Sequence, residues 1–249
     1  MTNLVSIVIP VHNSTVSLEK LAASIDGVFQ KINYEYELIF VDDASPLVDT
    51  WKTLEKLNRS YENIKCFRLM RNFGQQAATL CGVKNAKGDY ILTMDDDFQH
   101  SPEDIPKLLE YCDHDVVIAR FNEKKHSWLK RMGSRIKGYY DWKIIGKPRE
   151  IRLSSFRLFK SSIAEYMFLR NTPYPFIPAL LFYVTKDVVN VEVEHYPRLQ
   201  GETNYTLLKM LQLFSNLIIN NSSLLLRYIG YMGLVSAAVS VSVIVFLVF

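Results

Sequence analysis

Hydrophobic positions in this chain repeat with two different periods, and the switches between them mark out its elements. Leu4–Val11 (LVSIVIPV) is a near-continuous, β-branched run of strand length, the pattern of a strand covered on both faces. It breaks at Pro10 and passes through His12-Asn13-Ser14 into a stretch where Leu18, Leu21, Ile25, Val28 and Phe29 share one helical face. Tyr36–Val41 predicts a second strand ending in Asp42-Asp43-Ala44-Ser45, and a helix after Pro46 turns Trp51, Leu54 and Leu57 inward. Ile64–Met70 predicts a third strand, and Arg71-Asn72-Phe73-Gly74 leads into a helix through Ala77, Leu80 and Val83. A strand at Tyr90–Met94, a helix at Ile105–Cys112 and a strand at Asp115–Ala119 continue the alternation. Ser154–Lys160 and Val189–His195 read as later strands. Alternating strands and helices predict an α/β fold with a mainly parallel, right-handed, helix-flanked sheet.

The Tyr90 strand runs straight into Asp95-Asp96-Asp97. If the backbone stays extended, Asp95 and Asp97 point to one face and Asp96 to the other. Two carboxylates about 5 Å apart repel by roughly 3 kcal/mol at an effective dielectric of 20. A cation between them relieves that cost. Oxygen donors of this kind suit Mg²⁺ or Mn²⁺, with remaining positions left to water and substrate phosphates, and Gln99 offers a further neutral oxygen. The alternative is a solvated acidic turn capping the helix that starts near Ser101-Pro102. Position favours function, since ligands of open α/β sheets bind at the carboxyl ends of the strands.

Composition narrows the classes. With 249 residues and near half of them hydrophobic, there is room for one large α/β domain and an appendage. A net charge of +3 says little by itself. Three cysteines, Cys66, Cys81 and Cys112, without CxxC spacing argue against a disulfide framework or a zinc site. The N-terminus lacks the basic stretch of a signal peptide. The histidines (His12, His100, His114, His126, His195) are scattered and read mostly as surface or turn residues. No Gly-x-Gly occurs, which disfavours a Rossmann dehydrogenase.

Beyond Arg120 the texture changes. Residues 123–152 carry ten lysines and arginines, among them Arg131 and Arg135, interleaved with Trp128, Leu129, Met132, Ile136, Tyr139 and Trp142. A solvated face is the ordinary fate of such a run, but the interleaving suits a basic amphipathic surface near anionic groups. Nucleic acid is the rival target, and no recognition module for it is evident. Thr203–Leu226 predicts apolar interfacial helices broken near Asn220-Asn221-Ser222. Tyr228–Phe249 has no charged residue and spans roughly 33 Å as a helix, enough to cross a bilayer core. Arg227 and Lys209 on its N-terminal side place the preceding domain in the cytosol. The expected organisation is therefore a catalytic domain over 1–202, juxtamembrane helices over 203–227 and a membrane helix over 228–249.

In order and spacing, SIVIPVHN (Ser6–Asn13), VDDAS (Val41–Ser45), RNFGQQAA (Arg71–Ala78), MDDDFQHSPEDI (Met94–Ile105), RMGSR (Arg131–Arg135), SSFR (Ser154–Arg157) and PRLQGETNY (Pro197–Tyr205) resemble glycosyltransferase family 2. The likeness is to its polyprenyl-phosphate branch, which includes dolichol-phosphate mannose synthase and bacterial enzymes that load sugars onto undecaprenyl phosphate. It covers the chain up to the first membrane helix. The resemblance implies a GT-A type nucleotide-sugar-binding domain and an inverting transfer from a nucleotide-diphosphate sugar to a polyprenyl phosphate at a lipid bilayer. It implies that Pro10, Val11, Asn13, Asp42, Asp43, Asp95 and Asp96 face the nucleotide. Asp95, Asp97 and Gln99 would hold Mg²⁺ or Mn²⁺, with Asp97, Arg120 and Arg131 at the reaction centre. Arg120, Arg131, Ser134, Arg135 and Arg198 would gather phosphates of donor and acceptor. A homo-oligomer is compatible with the branch.

Departures are visible. The family's Tyr-Asn-Glu is His12-Asn13-Ser14 here, its Asp-Ala-Asp is Asp95-Asp96-Asp97, and its late Gly-x-Ser-Lys is Gly201-Glu202-Thr203-Asn204, which lacks the lysine. The branch's second membrane helix is missing, so Tyr228–Phe249 reads as the first of a truncated pair. Two rivals stand beside this reading. A saccharide acceptor would bring the Gln-x-x-Arg-Trp motif of processive synthases, and Trp51, Trp128 and Trp142 all lack it. A non-catalytic nucleotide-binding membrane module would have lost the carboxylates, which are present.

Overall fold

The structure is a computed structural model that describes residues 3–121, 138, 142–143, 145–169, 172, 174–194 and 224–248. Two compact units emerge, Met1–Thr203 and Asn204–Phe249. In the first unit the described elements are β1 (Leu4–Val11), α1 (Val16–Phe29), β2 (Glu35–Asp42), α2 (Val48–Ser60), β3 (Ile64–Arg68), α3 (Gln75–Asn85) and β4 (Tyr90–Thr93). A 3₁₀ turn at Pro102–Asp104 opens α4 (Ile105–Leu109), followed by β5 (Val116–Phe121), β6 (Arg157–Lys160), α5 (Ser161–Met167), α6 (Ile177–Val184) and β7 (Val188–Val193).

The seven strands form one sheet in the order β3-β2-β1-β4-β6-β5-β7. β1 pairs in parallel with β2 and β4, β2 with β3, and β5 with β7. The fold class and the mainly parallel sheet agree with the sequence pattern. β6 is the exception, running antiparallel between β4 and β5. Since β4 and β5 both oppose β6, they point the same way. The carboxyl ends of β1, β2, β4 and β5 therefore meet the start of β6 along one edge.

β1 is central because every residue from Val5 to Val11 is buried, as a run apolar on both faces requires. Helix α1 covers one face with Leu18, Leu21, Ile25, Val28 and Phe29. Helix α3 lies so close that a Cβ on Gly82 would sit 2.3 Å from Val8 Cγ1, so only glycine fits there.

Several boundaries differ from the sequence pattern. β3 stops at Arg68, and Met70 is almost wholly exposed. α4 ends at Leu109 rather than Cys112. β6 begins at Arg157 because Ser154 Oγ accepts from the Phe156 N–H, turning the chain just before it. Helices α5 and α6 were not legible; α6 buries Ile177–Phe182 without a polar stripe to set its period.

In the second unit the described element is α7 (Leu224–Val248), a 25-residue helix. Its span Arg227–Val248 has a mean hydropathy of 2.3, and none of its residues is buried. This is long enough and apolar enough to cross a membrane, and it includes the segment predicted from Tyr228. Of the juxtamembrane helices predicted over 203–227, residues 203–223 lie outside the described residues, and the last four positions, from Leu224, belong to α7.

Candidate active site

Among the described residues, three with side chains adopt a left-handed backbone, Asn13 (φ 59°), Ala44 (φ 51°) and Phe98 (φ 60°). They follow β1, β2 and β4 in turn, so all three lie at one sheet edge. Asparagine tolerates this region, whereas alanine and phenylalanine occupy it at a cost of about 1 kcal/mol or more. Such backbone persists only where the surroundings fix it.

Asp42 and Asp43, at the end of β2, do much of that fixing. Both are buried. Asp42 Oδ1 accepts from the Ser45 N–H at 2.9 Å and from its hydroxyl, while Arg68 Nε lies 3.2 Å from Oδ2. Asp43 accepts from the N–H groups of Phe73 and Gly74, each at 2.8 Å. Gly74 has φ 91°, a conformation glycine adopts without strain. The two carboxylates thus shape the loops after β2 and β3. Asn13 donates its N–H to Ser45 Oγ at 2.9 Å and is exposed. Pro10 and Val11 are buried in the last positions of β1.

Asp95, Asp96 and Asp97 lie beyond the end of β4 at Thr93. The expectation that strand alternation sorts their side chains is therefore corrected, and bonds from elsewhere in the chain orient them. Asp95 Oδ1 accepts from Gln75 Nε2 and its Oδ2 from Ser155 Oγ, both at 2.6 Å. Ser155 is itself anchored, since Thr93 Oγ1 donates to its carbonyl at 2.6 Å. Asp97 Oδ1 accepts from the Gln99 N–H at 3.0 Å, closing an Asx turn around Phe98. Ser101 Oγ accepts from the Glu103 N–H with Pro102 next in sequence, so the predicted helix start is present.

Asp96 differs from its neighbours. Burial pushes its carboxyl up to about 6, Asp95 and Asp97 push the same way, and a hydrogen bond from Ser14 opposes them. Its Oδ2 is buried with no hydrogen-bond partner. Beneath the cluster, Arg157 is 3% exposed, and its Nε and Nη1 are also without partners. Burial lowers the guanidinium to about 10, against the pull of Asp95.

A divalent cation fits this loop. Mutual repulsion and an orphaned carboxylate oxygen are what a cation relieves. Among the described residues no three His, Cys, Asp or Glu side chains converge as a ready-made cage. Mg²⁺-type sites need none, because one or two carboxylates and the substrate phosphates complete them.

Arg120 is exposed at the end of β5, on the same edge. Arg131, Ser134, Arg135 and Arg198 lie outside the described residues. Gln75, Ser155 and Arg157 were missed as individual residues, although RNFGQQAA and SSFR contain them. His100 is an exception to the reading of most histidines as surface or turn residues. It is 5% exposed, stacks with Phe121 and Phe156 at ring-centroid distances of 5.4 and 5.3 Å, and accepts the Asp95 N–H on Nδ1 at 3.2 Å.

The glycosyl transferase family 2 model matches residues 6–168. The chain belongs to that family. It is 30% identical over 246 residues to the undecaprenyl-phosphate 4-deoxy-4-formamido-L-arabinose transferase of Edwardsiella ictaluri, covering 98% of this chain and 76% of the relative. The protein of the same name from Proteus mirabilis is also 30% identical, over 94% of this chain and 73% of the relative. Among solved structures, glucosyl-3-phosphoglycerate synthase from Mycobacterium tuberculosis, in complex with Mn²⁺, UDP and phosphoglyceric acid, superposes with a TM-score of 0.63. It is 14% identical, over 87% of this chain and 76% of that one. A mannosyltransferase from Pyrobaculum calidifontis, in complex with GDP-Man and Mn²⁺, gives 0.56 at 11% identity, over 82% and 59%. At those identities the structural likeness establishes the GT-A-like fold, and the family establishes a glycosyltransferase.

Proposed function

We propose that this family 2 glycosyltransferase moves a sugar from a nucleotide-diphosphate donor to a polyprenyl phosphate at a membrane, with its catalytic unit on the cytosolic side. One combination carries the reading. A charged, partly unsatisfied acidic loop closes the carboxyl edge of the sheet, in a chain that also holds a 22-residue apolar span with no buried residue. Relatives named for undecaprenyl-phosphate transfer cover nearly the whole chain. Arg227, at the N-terminal end of the apolar span, supports the cytosolic side.

The chain's own residues divide the work. Asp95, Asp97 and Gln99 would hold Mg²⁺ or Mn²⁺, which when bound neutralises charge on the leaving diphosphate. Gln75 and Ser155 keep Asp95 aimed. The strand ends at Pro10, Val11, Asn13, Asp42, Asp43 and Asp96 frame the nucleotide. Arg120, Arg131, Ser134, Arg135 and Arg198 gather the phosphates, for which arginine's planar, permanently charged fork is suited. An acceptor phosphate oxygen attacks the anomeric carbon opposite the diphosphate, the bond to the diphosphate breaks, and configuration inverts. The acceptor's second pKa is about 6, so no strong base is needed and positioning dominates.

The test is transfer itself. Membranes containing the chain are incubated with radiolabelled nucleotide sugars, both uridine- and guanosine-linked and including a 4-deoxy-4-formamido-L-arabinose donor. Label entering the lipid phase in an acid-labile phosphodiester is the expected result. Label on a sugar hydroxyl would move the assignment to a saccharide acceptor, and no transfer with any donor would overturn it.

A further inference from the structure

We infer that His100 is a positioning residue that holds the acidic loop in its ligand-ready shape, acting through the Asp95 main chain and the Phe121 and Phe156 rings. This rests on the reading of that loop as the metal- and donor-holding element.

The loop has reason to need a holder. Asp95, Asp96 and Asp97 repel one another, and Phe98 occupies left-handed backbone at φ 60°. A segment under both strains relaxes unless something outside it fixes the geometry. The Asp95 carboxylate is tethered by Gln75 and Ser155, but side-chain bonds alone leave the main chain free to rotate beneath it. His100 supplies the missing restraint. Its Nδ1 accepts the Asp95 N–H at 3.2 Å, closing the loop from its last residue back to its first. A neutral imidazole that accepts on Nδ1 carries its proton on Nε2.

The ring is fixed in turn. It lies nearly parallel to Phe121 at 10° and to Phe156 at 18°, and aromatic pairs of this kind attract beyond the area they bury. Both partners sit beside groups of the site. Phe121 follows Arg120 at the end of β5, and Phe156 lies between Ser155, which holds Asp95, and the buried Arg157. His100 therefore links the acidic loop to the strand ends that carry the basic groups. A displacement of the Asp95 backbone moves the carboxylate with it, and errors of about 1 Å at such a position can lower rates by roughly 10²-fold.

Two substitutions separate the parts. His100→Phe keeps a stacking ring and removes the acceptor. His100→Asn keeps an acceptor close to the place of Nδ1 and removes the ring. In the ¹⁵N-labelled full chain in detergent, three quantities are read: hydrogen exchange of the Asp95 amide, Mn²⁺ affinity by electron paramagnetic resonance titration, and Tm. The expected result for His100→Phe is at least tenfold faster exchange at Asp95 and about fivefold weaker Mn²⁺ binding, with Tm nearly unchanged. His100→Asn should restore exchange and affinity to within about threefold of the parent while lowering Tm. A core role without positioning predicts the reverse ranking, with affinity following Tm in both variants, and that ranking overturns the inference. So does parental exchange at Asp95 in His100→Phe. If the parent chain binds no Mn²⁺, the reading of the loop as a metal site falls, and the exchange arm alone decides whether His100 holds it.

Discussion

Glu37 and Asp96, at opposite edges of the sheet, are carboxylates treated in opposite ways. At the edge where β1 and β3 begin, Glu37 is 6% exposed and fully engaged. It accepts from Ser6 Oγ and from the Lys87 N–H, each at 2.6 Å, and from Lys65 Nζ. Burial alone would raise its pKa, but Lys65, Ser6 and Lys87 together hold it below the ordinary glutamate range. At the other edge, Asp96 is left with an orphaned oxygen and two like-charged neighbours, and its carboxyl is pushed up to about 6. A carboxylate that ties a fold together is satisfied from within the chain. One that awaits a ligand is left short, and the shortfall is what the ligand relieves.

The largest effect expected from this contrast is on rate. Asp97→Asn should lower turnover by about 10²–10³-fold and move stability by less than about 0.5 kcal/mol, as measured by initial rates and thermal unfolding on the same preparation. Turnover that persists undiminished in excess chelator would break the functional half of the comparison. Next comes Glu37→Gln, which should cost about 2 kcal/mol of stability at pH 7 through its charge-assisted bonds and leave turnover per folded molecule intact. Because the native pKa of Glu37 is depressed, its contribution is present above the ordinary glutamate range and is lost as pH falls through the native value. The gap between parent and variant in denaturant melts should therefore close in acid.

Asp96→Asn sharpens the contrast because its sign is opposite. A native pKa near 6 against an ordinary 3.8 means that ionised Asp96 opposes folding, fully above about pH 6 and not at all below about pH 4. Discounted for the partial exposure of Asp96, that shift makes the variant more stable than the parent by about 1 kcal/mol at pH 7, with no advantage in acid. Urea melts across that range would show the slopes of the two variants diverging. An Asp96→Asn variant less stable than the parent at pH 7 would mean that the carboxylate is satisfied after all.

The smallest expected effect lies where the two edges are coupled only through the sheet. A double variant, Glu37→Gln with Asp96→Asn, should show stability changes that add to within about 0.5 kcal/mol, as for distant sites without shared partners. A larger coupling in a double-mutant cycle would show that the edges are not independent.

Much of this was legible in the sequence. Near-continuous apolar runs located β1 and β2, and period-3.6 hydrophobicity located α1 and α2, to within a residue or two, because burial is recorded in each local pattern. The apolar run from Tyr228 identified a membrane-length helix for the same reason, length and composition being sufficient. The acidic triplet stood out as a run of like charge at a strand end. The gaps have physical causes. α6 buries most of its residues and so lacks a period. β6 has four residues and runs antiparallel between strands far away in sequence. Ser155 and Gln75 became site residues only when the fold brought segments 60 and 20 positions away against Asp95.

By itself, then, the sequence determined the helix-flanked parallel sheet, the acidic edge and the apolar terminal helix. Each is written in local composition and spacing, where burial and charge act on neighbouring residues. Only the tertiary structure decided how the carboxylates differ. Glu37 is satisfied because Ser6, Lys65 and Lys87 converge on it from three other segments. Asp96 is unsatisfied because no described group reaches its Oδ2. His100, which the sequence offers as one more turn residue, is buried because Phe121 and Phe156 meet it across the sheet. Burial and partnership are relations between distant segments, and a local pattern carries no record of them.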